Sequence, residues 1–244
     1  MPQAILKVDG LRKSYHRGGR DVLTGLDITI PKGEVYGLLG PNGAGKTTTV
    51  SIITGLLEED AGQVELFGLP SRHNKKIIMK RVGVVPQSIA LFPELTATEN
   101  LRVFGSVYGI PRATLDTRID EMLALFGLSD SRNKRVETFS GGMKRCMNMI
   151  VGIMHHPEFL ILDEPTVGID VQSKVKILDH LKLLNQQGTT ILYTSHDMEE
   201  AEHLCTKVGI IYGGRLAAEG TPEGLIGRFP DCRDLQSAYL KIIA

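Results

Sequence analysis

The stretch Gly40-Pro41-Asn42-Gly43-Ala44-Gly45-Lys46-Thr47-Thr48 decides the fold. It fits the pattern G-x-x-x-x-G-K-[ST], and its flanks give that pattern meaning. Before it, Val35-Tyr36-Gly37-Leu38-Leu39 is a short apolar run that reads as a buried strand; after it, a helical pattern continues to about Gly55. A strand, a glycine-rich loop and a helix in this order wrap backbone N–H groups around an anion and aim the positive end of a helix dipole at it. Lys46 then supplies a point charge for the β- and γ-phosphates of a nucleotide, and Thr47 a hydroxyl ligand for Mg²⁺.

Working outward, 244 residues allow one large α/β domain or two small ones, and chains of this size bury roughly 70–75% of their unfolded surface. Basic and acidic residues balance at 28 each, so no polyanion-binding surface is implied and direct nucleic-acid contact is not expected. Cys146, Cys205 and Cys232 are scattered without metal-ligand spacing, which suits inert thiols in a reducing compartment and a cytosolic protein. No apolar stretch approaches the ~20 residues that span a bilayer, and Met1-Pro2-Gln3-Ala4-Ile5 has neither the basic nor the apolar region of a signal peptide. Membrane association is therefore expected through a partner.

Residues 1–34 read as antiparallel β: Ile5-Leu6-Lys7-Val8 leads to Tyr15, and the turn-forming His16-Arg17-Gly18-Gly19-Arg20 returns the chain to Val22, Leu26, Ile28 and Ile30. Residues 35–87 hold the phosphate loop, its helix and further short strands, the last ending at Val82-Gly83-Val84-Val85-Pro86-Gln87. The section from 88 to 155 reads as helical. Thr96-Ala97-Thr98-Glu99 is a capping box followed by Leu101, Phe104, Gly105 and Tyr108 at helical spacing. Pro111 opens a second helix whose Leu115, Ile119, Met122 and Phe126 share one face before Gly127 ends it. Two more buried strands follow, Phe159-Leu160-Ile161-Leu162 and Thr190-Ile191-Leu192-Tyr193, around a helix from about Gln172 to Gln187. Gly213-Gly214 joins the last two strands as a hairpin, and Thr221-Pro222 starts a helix.

An acidic element is expected on a strand beside the phosphate loop, and Leu160-Ile161-Leu162-Asp163-Glu164 supplies it at the end where open parallel sheets place ligands. Asp163 is the candidate for holding Mg²⁺. Glu164 is the candidate base that orients and polarises an attacking water. Ser140-Gly141-Gly142-Met143-Lys144 precedes a helix carrying Met143, Met147, Ile150 and Met154 on one face, so Ser140 reads as an N-cap and the first turn as a second anion site. His196 follows the strand Ile191-Leu192-Tyr193-Thr194-Ser195, again at the ligand-binding edge.

In this order the motifs resemble the ATP-binding subunit of an ABC transporter, over nearly the whole chain. The resemblance implies an α/β fold: a P-loop NTPase core with a mostly parallel sheet (1–87 and 156–228), an N-terminal antiparallel β subdomain, an inserted helical subdomain (88–155) and a short C-terminal helix (229–244). It implies that Gly40, Pro41, Asn42, Gly43, Ala44, Gly45, Lys46, Thr47 and Thr48 bind nucleotide and that Tyr15 stacks on adenine. Gln87 corresponds to the Q-loop residue that senses Mg²⁺ and the attacking water, and His196 to the switch histidine on the γ-phosphate. Ser140, Gly141 and Gly142 correspond to the signature segment, and Gly168-Ile169-Asp170 to the D-loop. In that family the signature segment of one subunit closes on ATP held by another, so a second ATPase subunit, identical or paralogous, is an implied partner. Met143 departs from the usual glutamine, which puts the ribose contact there in doubt, and Cys146 stands where arginine is frequent.

Met143-Lys144-Arg145, the run Thr166 to Asp170 and the end Asp234-Leu235-Gln236-Ser237-Ala238-Tyr239-Leu240 look like the exporter branch, which handles drugs, polysaccharides, lipids or ions through a separate membrane permease. Ser88 to Pro93 and the helix after Thr96 are then expected to form part of a groove for a cytoplasmic helix of that permease, with Leu91 and Phe92 as exposed apolar contacts. The chain is expected to lie peripherally on the cytoplasmic face of the membrane. Two other readings stay open: a soluble ABC-type ATPase acting on DNA or ribosomes without a permease, and a P-loop kinase or GTPase. The former generally has long coiled-coil insertions or tandem ATPase domains, and the latter a guanine-reading Asn-Lys-x-Asp or no use for the signature and switch histidine together.

Overall fold

A computed structural model describes residues 3–15 and 21–244; the expected turn at His16 to Arg20 lies outside them. Two sheets form the body. In the first, β1 (Ala4–Lys13) pairs antiparallel with both β2 (Leu23–Pro31) and β4 (Ala61–Leu66), and β5 (Leu69–Pro70) closes the edge. In the second, β3 (Val35–Leu39), β6 (Val82–Val85), β7 (Phe159–Asp163), β8 (Thr190–Ser195) and β9 (Lys207–Tyr212) run parallel. The last strand, β10 (Arg215–Gly220), turns back antiparallel through Gly213-Gly214, giving the order β10-β9-β3-β8-β7-β6. The mixed sheet, the antiparallel sheet and the helices make the α/β architecture expected from the sequence.

The apolar runs of β3, β7 and β8 are buried on both faces, as parallel strands covered on two sides must be. Their alternation sorts the core into two halves. Tyr36, Leu38, Phe159, Ile161 and Leu192 pack with Val50, Ile52 and Ile53 of α1 (Lys46–Ile53) and with the antiparallel sheet. Val35, Leu39, Leu160, Leu162, Ile191 and Tyr193 face the other way. They meet Met147 and Ile150 of the helix Gly141–Ile153, Met154 at its C-cap, and Ile177 and Leu181 of the helix Val171–Gln186. Two helices were not legible: Met198–Leu204, and α2 (Ser71–Ile78), which forms where short strands were expected, a polar segment with only Ile78 buried and a non-helical Asn74 inside it.

Within 88–155 the helices are α3 (Ala97–Val107), α4 (Arg112–Leu125) and α5 (Gly141–Ile153). The capping box forms as expected, with Glu99 N–H donating to Thr96 Oγ1 and the Thr96 N–H to Glu99 Oε2. Beyond the parallel strands lie α6 (Val171–Gln186), α7 (Met198–Leu204), α8 (Pro222–Ile226) and α9 (Leu235–Ile243). No helix among the described residues is long and apolar enough to cross a membrane.

Helix α5 lies so close to β6 that only glycine fits at the contact. A Cβ on Gly83 would stand 2.1 Å from the Gly152 carbonyl oxygen, and one on Gly152 would stand 2.6 Å from Val85 Cγ2. Backbone cannot step aside as a flexible side chain can. We therefore expect Gly83→Ala to destabilise the chain by about 1–3 kcal/mol from overpacking, more than the ~0.4–1 kcal/mol returned by restricting the unfolded chain. Urea unfolding checks this, and an unchanged midpoint would show that the contact is slack.

Candidate active site

The parallel register brings the C-terminal ends of four strands to one edge: Leu39 pairs with Ser195, Asp163 with Thr194 and Val85 with Leu162. Whatever follows each strand must therefore meet there. After β3 comes the glycine loop, after β6 Pro86-Gln87, after β7 Glu164, and after β8 His196.

The loop curls tightly because glycine permits it. Gly45 caps α1 at φ +109°, a region that L side chains rarely enter, and a Cβ on Gly40 would stand 2.4 Å from the Ile211 carbonyl oxygen. Gly45 offers no side-chain cap, so the first-turn amides of α1 gain no capping acceptor from it. Lys46 is buried, and its ammonium donates to the carbonyls of Gly40 at 2.8 Å and Pro41 at 3.2 Å. The same Nζ stands 3.1 Å from Glu164 Oε1. Thr47 is exposed at the helix start, and Thr48 shares a 3.1 Å hydrogen bond with the Tyr15 hydroxyl. Tyr15 therefore stands at the rim of the loop with its ring more than half exposed.

Glu164 is the centre of the cluster. Its Oε1 faces Lys46, while its Oε2 receives Gln87 Nε2 at 3.4 Å and lies 3.3 Å from His196 Nδ1. Three residues from three other strand ends, Lys46, Gln87 and His196, thus converge on one buried carboxylate. The backbone of Glu164 adopts φ +47°, uncommon for a residue that is not glycine and a form of local strain that other contacts must hold. Those contacts come from Thr194: its carbonyl and its Oγ1 both accept from the Glu164 N–H, at 3.2 and 3.1 Å. The Thr194 hydroxyl in turn donates to Asp163 Oδ1 at 2.7 Å. Thr194 escaped the sequence reading because it looks like strand filler, one of four hydroxyl-bearing residues in the run Thr190 to Ser195.

A second cluster forms around the start of α5. Ser140 is the N-cap, accepting from the Met143 N–H at 3.2 Å, as its position suggested. Asp170 caps α6, accepting from the Ser173 N–H at 2.9 Å and the Ser173 hydroxyl at 2.7 Å, and these bonds hold its carboxyl below the usual range. The first turn of α5 lies close against the Asp170 cap: a Cβ on Gly142 would stand 2.7 Å from Ser173 Oγ and 3.1 Å from Asp170 Oδ2. No hydrogen bond links Ser140, Gly141 or Gly142 to the phosphate loop among the described residues. Met143 is turned inward against the core, and Cys146 is buried with its thiol pushed up by desolvation, so both departures serve helix packing.

Behind the site a buried network joins the loop after Glu164 to the loop after His196. Glu200 accepts from Thr166 Oγ1 at 2.6 Å and from the Tyr193 hydroxyl, while Lys174 pairs with Glu200 at 2.6 Å and with Asp197 at 2.8 Å.

Of the expected exposed apolar contacts, Phe92 is exposed and Leu91 needs correction. Leu91 is partly buried against the core, because the loop after β6 turns it inward; the exposed apolar residues there are Ile89 and Phe92, and Phe92 leans on Phe104.

Comparison with known proteins gives the chain a family. Residues 23–167, more than half of the chain, match the family model described as ABC transporter. The chain is 45% identical over 224 residues to the linearmycin resistance ATP-binding protein LnrL of Bacillus subtilis (strain 168), covering 92% of this chain and 71% of that protein. It is 42% identical over 232 residues to the Nod factor export ATP-binding protein I of Paraburkholderia xenovorans (strain LB400), covering 95% and 76%. A dimeric structure of a post-hydrolysis state of the ATP-binding cassette MJ0796 bound to ADP and Pi superposes with a TM-score of 0.81 at 25% identity, covering 88% of this chain and 98% of that one. The phosphate loop, the buried carboxylate gathered from four strand ends and these likenesses lead to one conclusion: the chain belongs to the ABC transporter family, as an ATP-binding, ATP-hydrolysing subunit that powers transport.

Proposed function

We propose that the Lys46–Glu164 cluster is the hydrolytic centre, that it is completed by a second ATPase subunit, and that the work is delivered to a membrane permease for export. The observation that carries the reading is the convergence of Lys46, Gln87 and His196 on the Glu164 carboxylate. Residues Gly40 to Thr48 cradle the phosphates, Lys46 faces the β- and γ-phosphates, and Tyr15 at the rim offers its ring to the adenine. Glu164, already oriented by Lys46 and Thr194, accepts a proton from the attacking water, while Gln87 and His196 position that water and the γ-phosphate.

Mg²⁺ fits the donor set. No preformed cage of three acidic, histidine or cysteine side chains exists among the described residues, and none is needed when phosphate oxygens and water supply most of the coordination. Thr47, exposed at the helix start, buried Asp163 at the end of β7 and the Gln87 side chain are the residues that would hold it. When bound, the ion neutralises charge on the transferring phosphate.

The Ser140 helix start supports the dimer. It is an anion-binding end of a thirteen-residue helix, and its own chain's phosphate loop makes no hydrogen bond to it among the described residues. A second subunit placed head to tail presents that end, with Asp170 beside it, to the γ-phosphate. ATP then favours the closed pair and its hydrolysis releases it.

For the permease the structure offers a groove of about 720 Å³ between α2, the free side of β6 and the end of α3. The helix after Thr96 does line it, through Val107 and Tyr108, but Leu91 and Phe92 do not. Leu56 and Val107 are 78% and 77% exposed there, and Lys75, Lys76 and Lys80 add a positive rim. Apolar floor and cationic rim fit an amphipathic cytoplasmic helix of the permease bearing acidic residues. Such docking places the chain on the cytoplasmic face of the membrane, and the names of the resistance and export relatives support outward transport.

Two outcomes follow. Glu164→Gln should lower ATP hydrolysis by at least about 10²-fold while nucleotide affinity stays within a few-fold, measured by phosphate release and equilibrium binding; hydrolysis at the wild-type rate would remove Glu164 as the base. Leu56→Asp with Val107→Asp should abolish co-purification of the permease from detergent-solubilised membranes and leave ATPase activity of the isolated chain intact. Undiminished co-purification would place docking elsewhere.

A further inference from the structure

The run Met143-Lys144-Arg145 and the polar Asn148 within a methionine-rich helix have no part in the chemistry described so far. Their surroundings give them one. Arg145 is buried at 5% exposure, yet no carboxylate pairs with it among the described residues and its Nε has no partner. Its two terminal nitrogens instead donate to the carbonyls of the loop after β6: Nη1 to Pro86 at 3.1 Å and Nη2 to Gln87 at 2.9 Å. Asn148, one turn along α5, donates to the carbonyls of Pro86 at 3.3 Å and Ser88 at 3.2 Å and accepts from the Ala90 N–H at 3.1 Å.

Residues 87–90 are exposed and would otherwise be a mobile connection. They are held from beneath by two side chains of the helix that begins at Ser140. A guanidinium buried without a counter-ion is costly, and burial draws its pKa down, so packing alone would be better served by methionine. What the charge adds is a fork that fixes two successive carbonyls, the second belonging to Gln87 itself.

That matters because the Gln87 amide reaches Glu164 at 3.4 Å, near the outer limit of a hydrogen bond. A few tenths of an ångström in the backbone of residue 87 decide whether the contact exists. We propose that Arg145 is a positioning residue for Gln87, setting the pose of its amide on Glu164 and thereby tying the Ser140 helix to the hydrolytic carboxylate. The inference rests on the reading of Gln87 given under Proposed function.

A double-mutant cycle on the full chain tests it, with kcat and KM for ATP as readouts. Arg145→Met should lower kcat about tenfold or more and leave KM within about twofold, and when added to Gln87→Ala it should change kcat by less than about twofold. Arg145→Lys, a point charge able to reach one carbonyl, should recover part of kcat in the wild-type background. The same loss in both backgrounds, or a loss confined to KM, overturns the proposal while leaving Gln87 its role. Wild-type hydrolysis by Gln87→Ala overturns that role and this inference together. Should Arg145→Met fail to fold, the cycle is read with Arg145→Lys, and an equal loss in both backgrounds overturns the proposal in the same way.

Discussion

Everything at the ligand edge is arranged around one buried ion pair. Lys46 and Glu164 are almost fully removed from water, at side-chain exposures of 4% and 7%, and face each other at 3.1 Å. Neither charge would be tolerated there alone, because the cost of desolvating an isolated ion exceeds what packing returns. Each is therefore surrounded by compensating groups: loop carbonyls for the ammonium, the Gln87 amide and His196 for the carboxylate. The loop must curl to bring its carbonyls inward, β7 must end where it does, and the Glu164 backbone must accept a left-handed turn. The chemistry of the site and its strain have the same origin.

A parallel sheet makes such convergence cheap in chain length. Residues 46, 87, 164 and 196 are far apart in sequence, but the common direction of β3, β6, β7 and β8 delivers all four to one rim. The helices that cross between strands then carry what the rim lacks. Helix α5 reaches it by lying directly on β6, glycine against glycine, so its cap at Ser140 and its polar side chains keep a fixed relation to the loop after Val85. The Glu200 network gives the loops after β7 and β8 a similar link.

Much of this was legible in the residues. Apolar runs bounded by glycine and acidic residues marked β3, β7 and β8, and short-range chemistry marked the caps at Thr96 and Ser140 and the hairpin at Gly213-Gly214. These signals are local, so a single sequence carries them. Helix α2 was missed because Ser71 to Lys76 has no apolar period. Thr194 and Arg145 were missed for another reason: their partners lie 30 and 58 or more residues away, and a polar residue's distant partner leaves no trace in its neighbours. Leu91 was misjudged because whether a loop residue faces in or out depends on the turn of the loop, not on its hydrophobicity.

Among the described residues strand β6 has a neighbour on one side only, so its other side offers unpaired backbone groups to any extended segment that comes near. Proteins commonly protect such edges with lysines, whose charge repels a second copy and whose ammonium groups resist burial. Lys76 and Lys80 stand beside Val82 and Val84 on the wall of the groove. The lysines that rim the groove thus also guard the edge of the sheet: their charge opposes the pairing of β6 with the same strand of a second copy, beside the exposed Leu56 and Val107.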